Sequence, residues 1–249
     1  MSLSSSLLAC SLKTILGLNR RQVVKTEFGS FYVDLISNFG SAIIENGIYE
    51  PEIVDILFLK LKESNIFVDV GANEGYFSTI ASKIVGNNGF VIAIEPQKRM
   101  IEVIKKNLEI NNSDNVYIEN AALSDKSFQK LYLYLFHSLN TGASSMVNKY
   151  LFSKRQKVLT LSMEDLFEKY NIEYADLVKV DVEGFEPEVI NGAKKLLEER
   201  RIKAILIDFH ESILEKRQIK SHELEQRILS YNYYLDDNFN FESYRIYHI

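Results

Sequence analysis

Short apolar runs alternate with longer amphipathic segments from about residue 51 onward. The runs at 66–70, 90–94, 116–118, 177–180 and 204–207 predict strands, most of them buried on both faces. Between them, residues 51–62, 75–84, 98–110 and a segment reaching about 197 have the spacing of helices. Strands and helices that alternate in this way are typical of an α/β domain with a mostly parallel sheet.

The pattern changes at both ends of the chain and in its middle. Residues 23–35 predict a hairpin that turns at Phe28-Gly29-Ser30 and covers an edge of the sheet. Residues 131–136 and 157–161 read as inserted strands, separated by the polar loop 138–145, and we expect them to cover the acceptor side. Ser162 and Asp165 predict a capping box for a helix to residue 170, and the tail, 231–235 and 244–249, predicts an antiparallel hairpin.

A chain of 249 residues with 46% hydrophobic content can bury one large core. We expect residues 1–62 to form a helix and hairpin extension that packs on a single domain, 63–249. Within the extension, residues 7–18 predict an amphipathic helix with Arg20 and Arg21 just beyond. Packing on the core is the leading interpretation of this helix, and weak contact with a membrane surface is the alternative. No segment is long enough to span a bilayer.

Charge and cysteine usage restrict the partners. The net charge of -5 argues against a primary nucleic-acid surface, which needs clustered Lys and Arg. Cys10 is the only cysteine, so an internal disulfide and a cysteine-based metal cluster are both excluded. These features fit a reducing, cytoplasmic location, and the sequence carries no signal for an oligomeric state.

The segment 66–78, I-F-V-D-V-G-A-N-E-G-Y-F-S, carries the main functional signal. A buried strand runs into a glycine turn and then into a helix, which is the order that builds a nucleotide pocket. Gly71 permits the sharp turn, Gly75 permits close approach of a ligand or a strand, and the free amides of the new helix face the pocket. The bland alternative is a turn without a ligand, in which Asp69 only caps the following residues.

Two carboxylates indicate which nucleotide binds. Asp69, two residues before Gly71, would repel a pyrophosphate and attract an ammonium or a sulfonium. The loop also has two glycines where a dinucleotide site has three. Glu95 ends the second apolar run and can accept hydrogen bonds from both hydroxyls of a ribose. We therefore predict S-adenosylmethionine as the cofactor, with a nicotinamide dinucleotide as the rival.

Ligands of open α/β sheets bind outside the carboxyl ends of the strands, and this rule selects candidates for catalysis. Besides Asp69 and Glu95, the strand ends offer Lys179, Asp181, Glu183, Asp208, His210 and Glu211. His210 is predicted as the general base, with Asp181 or Glu183 orienting it or holding an acceptor hydroxyl. Lys179 either shares this crevice or only pairs with Asp181.

Simpler roles compete with these predictions. His210 can instead bond a neighbouring turn, and Asp181 and Glu183 can cap the next helix. Asp181, Glu183 and His210 could also gather a divalent ion, but no repeated ligand motif supports this, and no metal is predicted. Cytosine-carbon methylation needs a cysteine nucleophile, and Cys10, the only cysteine, lies far outside the domain core. The Asn-Pro-Pro-aromatic loop of amino-nitrogen methylases cannot occur, because each proline stands alone. We therefore predict that an oxygen atom accepts the methyl group.

These motifs together resemble the FkbM family of S-adenosylmethionine-dependent methyltransferases over about residues 45–210. The matching stretches are E-N-G-I-Y-E-P, V-D-V-G-A-N-E-G-Y-F-S, I-E-P, N-A-A-L-S-D, L-V-K-V-D-V-E-G-F-E-P-E-V-I-N-G-A and I-D-F-H. Asp208 departs from the resemblance, because relatives commonly have Glu there. The resemblance implies a Rossmann-like class I methyltransferase fold, in which helices cover both faces of a seven-stranded, mostly parallel sheet.

The resemblance also implies cofactor contacts and a reaction. The contacts are at Asp69, Gly71, Asn73, Gly75 and Glu95, and we expect Ala72, Tyr76, Pro96, Asn120, Ala121 and Asp181 to complete the pocket. The implied reaction is O-methylation of a hydroxyl on a carbohydrate, glycoconjugate or polyketide-like small molecule. A nicotinamide-dependent oxidoreductase and a non-catalytic protein that keeps the fold and the cofactor are the alternatives.

Overall fold

The computed structural model describes residues 21–135, 144–147, 154–239 and 244–249. Its strands are β1 (Arg21–Lys25), β2 (Ser30–Asp34), β3 (Ile66–Val70), β4 (Phe90–Ile94), β5 (Val116–Glu119), β6 (Ala122–Leu123), β7 (Lys130–Leu135), β8 (Lys154–Leu161), β9 (Leu177–Val180), β10 (Ala204–Asp208), β11 (Tyr234–Leu235) and β12 (Tyr244–His248). Its helices are α1 (Asn38–Asn46), α2 (Pro51–Lys60), α3 (Tyr76–Val85), α4 (Lys98–Asn111), α5 (Met163–Lys169), α6 (Glu186–Asn191), α7 (Lys194–Glu198), α8 (Glu211–Lys216) and α9 (Ser221–Ser230). The predicted helix at 7–18 and the loop residues 138–143 lie outside the described residues.

Seven strands form the central sheet in the order β11-β12-β10-β9-β3-β4-β5. The five strands from β10 to β5 run parallel, whereas β12 is antiparallel to both of its neighbours. The predicted mostly parallel seven-stranded sheet and the predicted antiparallel tail are confirmed. The chain leaves β3 in one direction for β4 and later returns on its other side as β9, so the crevice between these strand ends is the expected ligand site.

Alternate residues of each central strand enter two different cores. Phe67 and Val91 pack with α2 and α3 on one face, whereas Val68 and Ile92 pack with later helices on the other. All four side chains are fully buried, which explains why these strands read as continuous apolar runs in the sequence. The two faces confirm the predicted Rossmann-like arrangement, with helices on both sides.

The N-terminal hairpin, β1 and β2, forms as predicted but not at the predicted place. It lies along α4 instead of covering an edge of the sheet, because side-chain amides of α4 satisfy the main chain of β2. The Tyr32 N–H donates to Asn107 Oδ1 at 2.6 Å, and the Ser30 N–H donates to Asn111 Oδ1 at 3.1 Å. Phe31 on the opposite side is fully buried in the same cluster as Phe67.

A second, three-stranded sheet of order β6-β8-β7 is inserted between β5 and β9. It contains both predicted insertion strands and adds β6, which is too short to carry a sequence signal. The Ser162 hydroxyl accepts from the Asp165 N–H as predicted, but the Asp165 carboxylate accepts from Ser127 and does not complete the capping box. The helix predicted to reach residue 197 is split into α6 and α7 around Gly192, where a β-carbon would overlap the main-chain oxygen of Ser124.

Tyr244 on β12 donates its hydroxyl hydrogen to Glu50 Oε2 at 3.0 Å, which connects the tail to the segment before α2.

Within the part of the chain that the structure describes, no helix is both long and apolar enough to cross a membrane.

Candidate active site

A cavity of about 210 Å³ lies at the carboxyl ends of the central parallel strands. The loop after β3 borders it through Gly71 and Asn73. The end of β4 contributes Glu95, and the ends of β9 and β10 contribute Asp181, Glu183, Asp208 and His210. Four strand ends that are separate along the chain therefore meet at one cavity.

The glycine loop is shaped as much by its protein neighbours as by a ligand. Gly71 has a φ of +88°, and a β-carbon there would overlap the main-chain oxygen of Asp181. Gly75 has a φ of +77°, and its β-carbon would stand 3.1 Å from the side chain of Ile104 on α4. The two glycines allow the loop after β3 to pack closely against β9 on one side and α4 on the other.

Glu95 is held rigidly at the cavity wall. Its Oε2 accepts from the Asn73 N–H at 2.9 Å, and its Oε1 accepts from the Gln97 N–H at 2.7 Å. Burial raises the pKa of this carboxyl to about 7, although both main-chain hydrogen bonds act in the opposite direction. Each oxygen keeps a further lone pair, so the carboxylate can also accept hydrogen bonds from a ligand.

The neighbours of Glu95 divide into lining and supporting residues. Pro96 and Ala121 line the cavity, whereas Ala72 and Tyr76 line a smaller recess beside it. Asn120 is exposed and supports the strand end, because its amide donates to the Glu95 carbonyl oxygen at 2.8 Å. Of the predicted cofactor residues, Gly75 and Asn120 are thus placed to shape the pocket and not to face it.

Asn73 offers a site for a ligand hydrogen bond. Its backbone is left-handed, with a φ of +49°, and its side chain borders the cavity. The Oδ1 atom is buried and has no hydrogen-bond partner within the described residues. A nucleoside presents hydroxyl and amino donors of the kind that this oxygen lacks.

Asp69 does not occupy the position that the sequence suggested. Its side chain is fully buried beneath the loop and does not line the cavity; Oδ2 accepts from the Ser78 hydroxyl at 2.6 Å. Burial raises the pKa of this carboxyl, and the attraction of Lys179 opposes the rise. The strand direction explains the difference, because residues 67 and 69 face the layer that contains α3.

Lys179 is a buried cation between the cofactor loop and the end of β9. Its Nζ contacts Asp181 Oδ2 at 2.9 Å and lies 5.1 Å from the centre of the Phe77 ring. Burial opposes the charged form, but Asp181 and Asp69 outweigh it and raise the pKa of this amine. Lys179 therefore pairs with Asp181, which is one of the two roles that the sequence left open.

His210 stands at the centre of a group of carboxylates. Its Nδ1 is 2.8 Å from Glu186 Oε1. Its Nε2 is 3.5 Å from Glu183 Oε2 and 3.8 Å from oxygens of both Asp181 and Asp208. The predicted proximity of Asp181, Glu183 and His210 is present in the structure, whereas the exposed Glu211 side chain does not line this cavity.

This environment does not favour His210 as the general base. Burial disfavours the charged imidazole, but Glu186, Asp181 and Glu183 together raise its pKa to about 10. A histidine with that pKa is already protonated at neutral pH and cannot accept the proton of an acceptor hydroxyl. The sequence prediction rested on the unperturbed pKa of histidine, which this arrangement changes.

Glu186 is a residue of this site that the sequence pattern did not identify. This residue begins α6, is fully buried, and accepts from the Gly184 N–H at 2.9 Å as well as contacting His210. An acidic residue in the first turn of a helix is common because it interacts favourably with the helix dipole. The helix dipole alone therefore explains an acid at this position, and the sequence offered no reason to assign Glu186 to the site, although it lies next to the V-D-V-E-G stretch.

One wall of the cavity comes from the insertion. Leu133 on β7, Ser144 and Met146 line it. The Ser145 N–H and carbonyl oxygen form a two-way bridge with Tyr134, and the Ser145 hydroxyl donates to the Glu183 carbonyl oxygen at 2.6 Å. The insertion thus borders the cavity at the strand ends, and its predicted place on the acceptor side stays a prediction.

A comparison with models of known protein families shows which family the chain belongs to. The model described as the methyltransferase FkbM domain matches residues 69–235, which is well over half of the chain and includes all four strand ends. The chain belongs to the FkbM methyltransferase family. S-adenosylmethionine is accordingly the cofactor, as predicted, and the nicotinamide alternative is set aside.

The features of the FkbM pocket fit that cofactor. Glu95 presents a fixed carboxylate suited to ribose hydroxyls, and Asn73 presents a buried oxygen that needs a donor. The bound cofactor supplies a methyl group made electrophilic by its sulfonium. We expect Glu95 and Asn73 to hold the nucleoside part, while Asp181 and His210 face the side from which an acceptor approaches.

A second family resembles only the first half of this FkbM protein. The model for protein-L-isoaspartate(D-aspartate) O-methyltransferase matches residues 12–125. The protein-L-isoaspartate O-methyltransferase of Methanococcus aeolicus is 29% identical over 127 residues, covering 49% of this chain and 58% of the relative. A second such enzyme, from Archaeoglobus fulgidus, is 30% identical over 70 residues, covering 27% of this chain and 32% of the relative. The chain thus spans 58% of the length of the first relative and 32% of the length of the second.

Solved structures whose backbone aligns with that of this chain include a putative rRNA-methylase from Clostridium thermocellum. It has a TM-score of 0.48 and 13% sequence identity, and the alignment covers 79% of this chain and 92% of that one.

Proposed function

We propose that this FkbM methyltransferase transfers the methyl group to a hydroxyl of a carbohydrate, glycoconjugate or polyketide-like small molecule. The observation that carries the proposal is the meeting of Glu95 with Asp181, Glu183 and His210 around one cavity. Cofactor and acceptor would then share one cavity in which several polar side chains are available to orient a hydroxyl.

Methyl transfer from a sulfonium is a displacement in line with a good leaving group, so the protein mainly aligns the acceptor and receives its proton. The carboxylates of Asp181 and Glu183 lie on one side of the cavity and can accept a hydrogen bond from an acceptor O–H. His210 would act as a fixed positive group that holds these carboxylates in place. We assign the chemistry to this group and not to Asp69, which lies outside the cavity.

A carboxyl acceptor is the alternative that the isoaspartate methyltransferases suggest. Their match ends at residue 125, before β9 and β10, so it covers the half with the glycine loop and Glu95. The acceptor side instead comes from the ends of β9 and β10, with Asp181, Glu183, Asp208 and His210. The shared half therefore supports a common cofactor site and gives no support for a common acceptor.

The proposal is tested by incubating the purified protein with S-adenosylmethionine and separate acceptor pools. The pools are sugars and glycosides, polyketide alcohols, an isoaspartyl peptide and structured RNA. Mass spectrometry then shows which pool gains a methyl group, with Asp181→Asn as the negative control and Glu223→Gln, on the exposed side of α9, as the matched neutral control. Methylation of the peptide or the RNA alone would overturn the hydroxyl proposal, and binding without turnover on any pool would favour a non-catalytic role.

A further inference from the structure

We propose that Asp181, Asp208 and His210 bind one divalent transition-metal ion beside the cofactor pocket. The three residues end two adjacent parallel strands, and each offers one ligand atom to the same point. These atoms all lie within 4.8 Å of one another. No repeated ligand motif marks this site in the sequence, because its ligands come from the ends of two strands that are separated along the chain.

The two distances from His210 to the aspartates suit a shared metal ion. His210 Nε2 is 3.8 Å from Asp181 Oδ1 and 3.8 Å from Asp208 Oδ2. Ligands that each stand about 2.1 Å from an ion are separated by about 3 to 4.2 Å, depending on the angle between them. Glu183 Oε2, 3.5 Å from the same nitrogen, lies beside this point without being one of the three ligands, so it stays available to accept a proton.

Glu186 provides a second, independent observation. It is fully buried, its Oε1 contacts His210 Nδ1 at 2.8 Å, and its Oε2 has no hydrogen-bond partner within the described residues. A carboxylate that fixes one imidazole nitrogen and directs the other at a common point is the usual support of a metal-bound histidine. Here the nitrogen so directed is the one that faces Asp181 and Asp208. A bound ion would take the place of the proton that Nε2 carries in the metal-free chain, so metal binding would release that proton.

Carboxylates come close to His210 from several directions. Oxygens of Asp181, Glu183, Asp208 and Glu186 all lie within 3.8 Å of its ring nitrogens. A divalent cation placed among them would interact favourably with these carboxylates. Mixed carboxylate and imidazole ligands favour ions such as Mn²⁺ or Zn²⁺ over Ca²⁺, which prefers oxygen ligands alone.

The site stands on geometry alone, whereas its role in catalysis rests on the proposed function. An ion at this point would bind the acceptor oxygen and ease loss of its proton to Glu183. The new O–C bond forms as the C–S bond of the cofactor breaks, and the electron pair of that bond stays on sulfur. The products are then a methyl ether, S-adenosylhomocysteine and a proton.

The test measures metal binding without cofactor or acceptor. The full chain is treated with a chelator and titrated with Mn²⁺, and electron paramagnetic resonance follows the signal of the free ion. We expect one Mn²⁺ per chain, competed by Zn²⁺, with affinity at least tenfold weaker in Asp208→Asn and His210→Asn. Glu223→Gln and His222→Asn remove an acid and a histidine from exposed positions of α9 and should bind Mn²⁺ normally.

Glu186→Gln provides a further check, because it keeps the packing but weakens the support of the imidazole; we expect about a tenfold loss of Mn²⁺ affinity. Circular dichroism establishes that each variant is folded. Absence of stoichiometric binding by the wild-type chain would overturn the proposal whatever the variants do, and so would equal affinity in folded Asp208→Asn. Methyl transfer to a hydroxyl by a chain that binds no metal would reject the metal site and keep the proposed function.

Discussion

The main-chain oxygen of Asp181 fills the space where a β-carbon on Gly71 would stand. This contact joins the cofactor loop after β3 to the strand end that carries the acceptor-side carboxylates. Gly71 therefore serves both halves of the site at once, and its importance does not depend on direct contact with the cofactor.

Gly71→Ala should weaken S-adenosylhomocysteine binding at least tenfold, because the loop and the end of β9 must separate to admit the methyl group. Gly47→Ala is the matched control: its φ is also positive, at +74°, but nothing lies within 4 Å of the new β-carbon. The control should lose only about 1–2 kcal/mol of unfolding free energy from backbone strain. Calorimetric titration and urea unfolding measure both effects, and equal cofactor affinity in the two variants would contradict the prediction.

Cofactor affinity should fall as the pH is lowered through about 7. Burial raises the pKa of Glu95 to about 7, so below that value the side chain gains a proton and loses acceptor capacity. Above it, the ionised carboxylate is present and binding is strongest. Titration of S-adenosylhomocysteine between pH 5.5 and 8.5, a window of about 1.5 units around that pKa, tests this.

Glu95→Gln separates this effect from other titrating groups. It should cost roughly 1–3 kcal/mol of binding free energy at high pH, the range for losing a charged hydrogen-bond partner. The remaining pH dependence should be flat through 7. A variant that keeps the wild-type slope would assign the dependence to another residue.

His210→Asn should slow methyl transfer by about 10²-fold, comparable with the loss of one preorganised polar group in an active site. Asparagine can still donate to Glu186, so the fold should survive the change. His222→Asn, on the exposed face of α9, should transfer at the wild-type rate. Single-turnover assays measure the rate, and S-adenosylhomocysteine affinity should remain unchanged in both variants. A wild-type rate in His210→Asn would leave this residue a structural role only.

Lys179→Met should lower the unfolding free energy by about 3–5 kcal/mol, because Asp69 and Asp181 lose a buried cation. Adding Asp69→Asn should restore part of this loss. Lys105→Met removes the exposed partner of Glu102 and should change stability by less than about 1 kcal/mol. Urea unfolding of the four proteins gives the comparison. If Lys179→Met is no less stable than Lys105→Met, the buried pair contributes nothing.

The sequence predicted the strands and the position of Glu95 because both depend on local patterns. A fully buried parallel strand is apolar throughout, and the residue after it lies at the ligand-binding edge. The fate of Asp69 was not predictable in this way, since it depends on α3 covering that face of β3. The hairpin was likewise found from its own alternation, but its partner, Asn107 on α4, is distant in the chain.

His210 shows the same limit for chemistry. Its place at the end of β10 followed from the topology rule, and its neighbours Asp181 and Glu183 were predicted with it. Its protonation also depends on Glu186, which lies 24 residues away in the chain, and the pattern of apolar and polar residues does not predict this contact. Strand ends can be found from sequence, whereas the charge that accumulates between them requires the folded chain.

The insertion supplies Leu133, Ser144 and Met146 to the cavity, while Gly71, Asn73 and Glu95 come from the earlier half of the domain. Under the proposed function, part of the acceptor would rest against a stretch of chain that supplies none of the predicted cofactor contacts. Exchanging residues 124–161 with those of another family member should then change which acceptor is methylated while the affinity for S-adenosylhomocysteine stays the same.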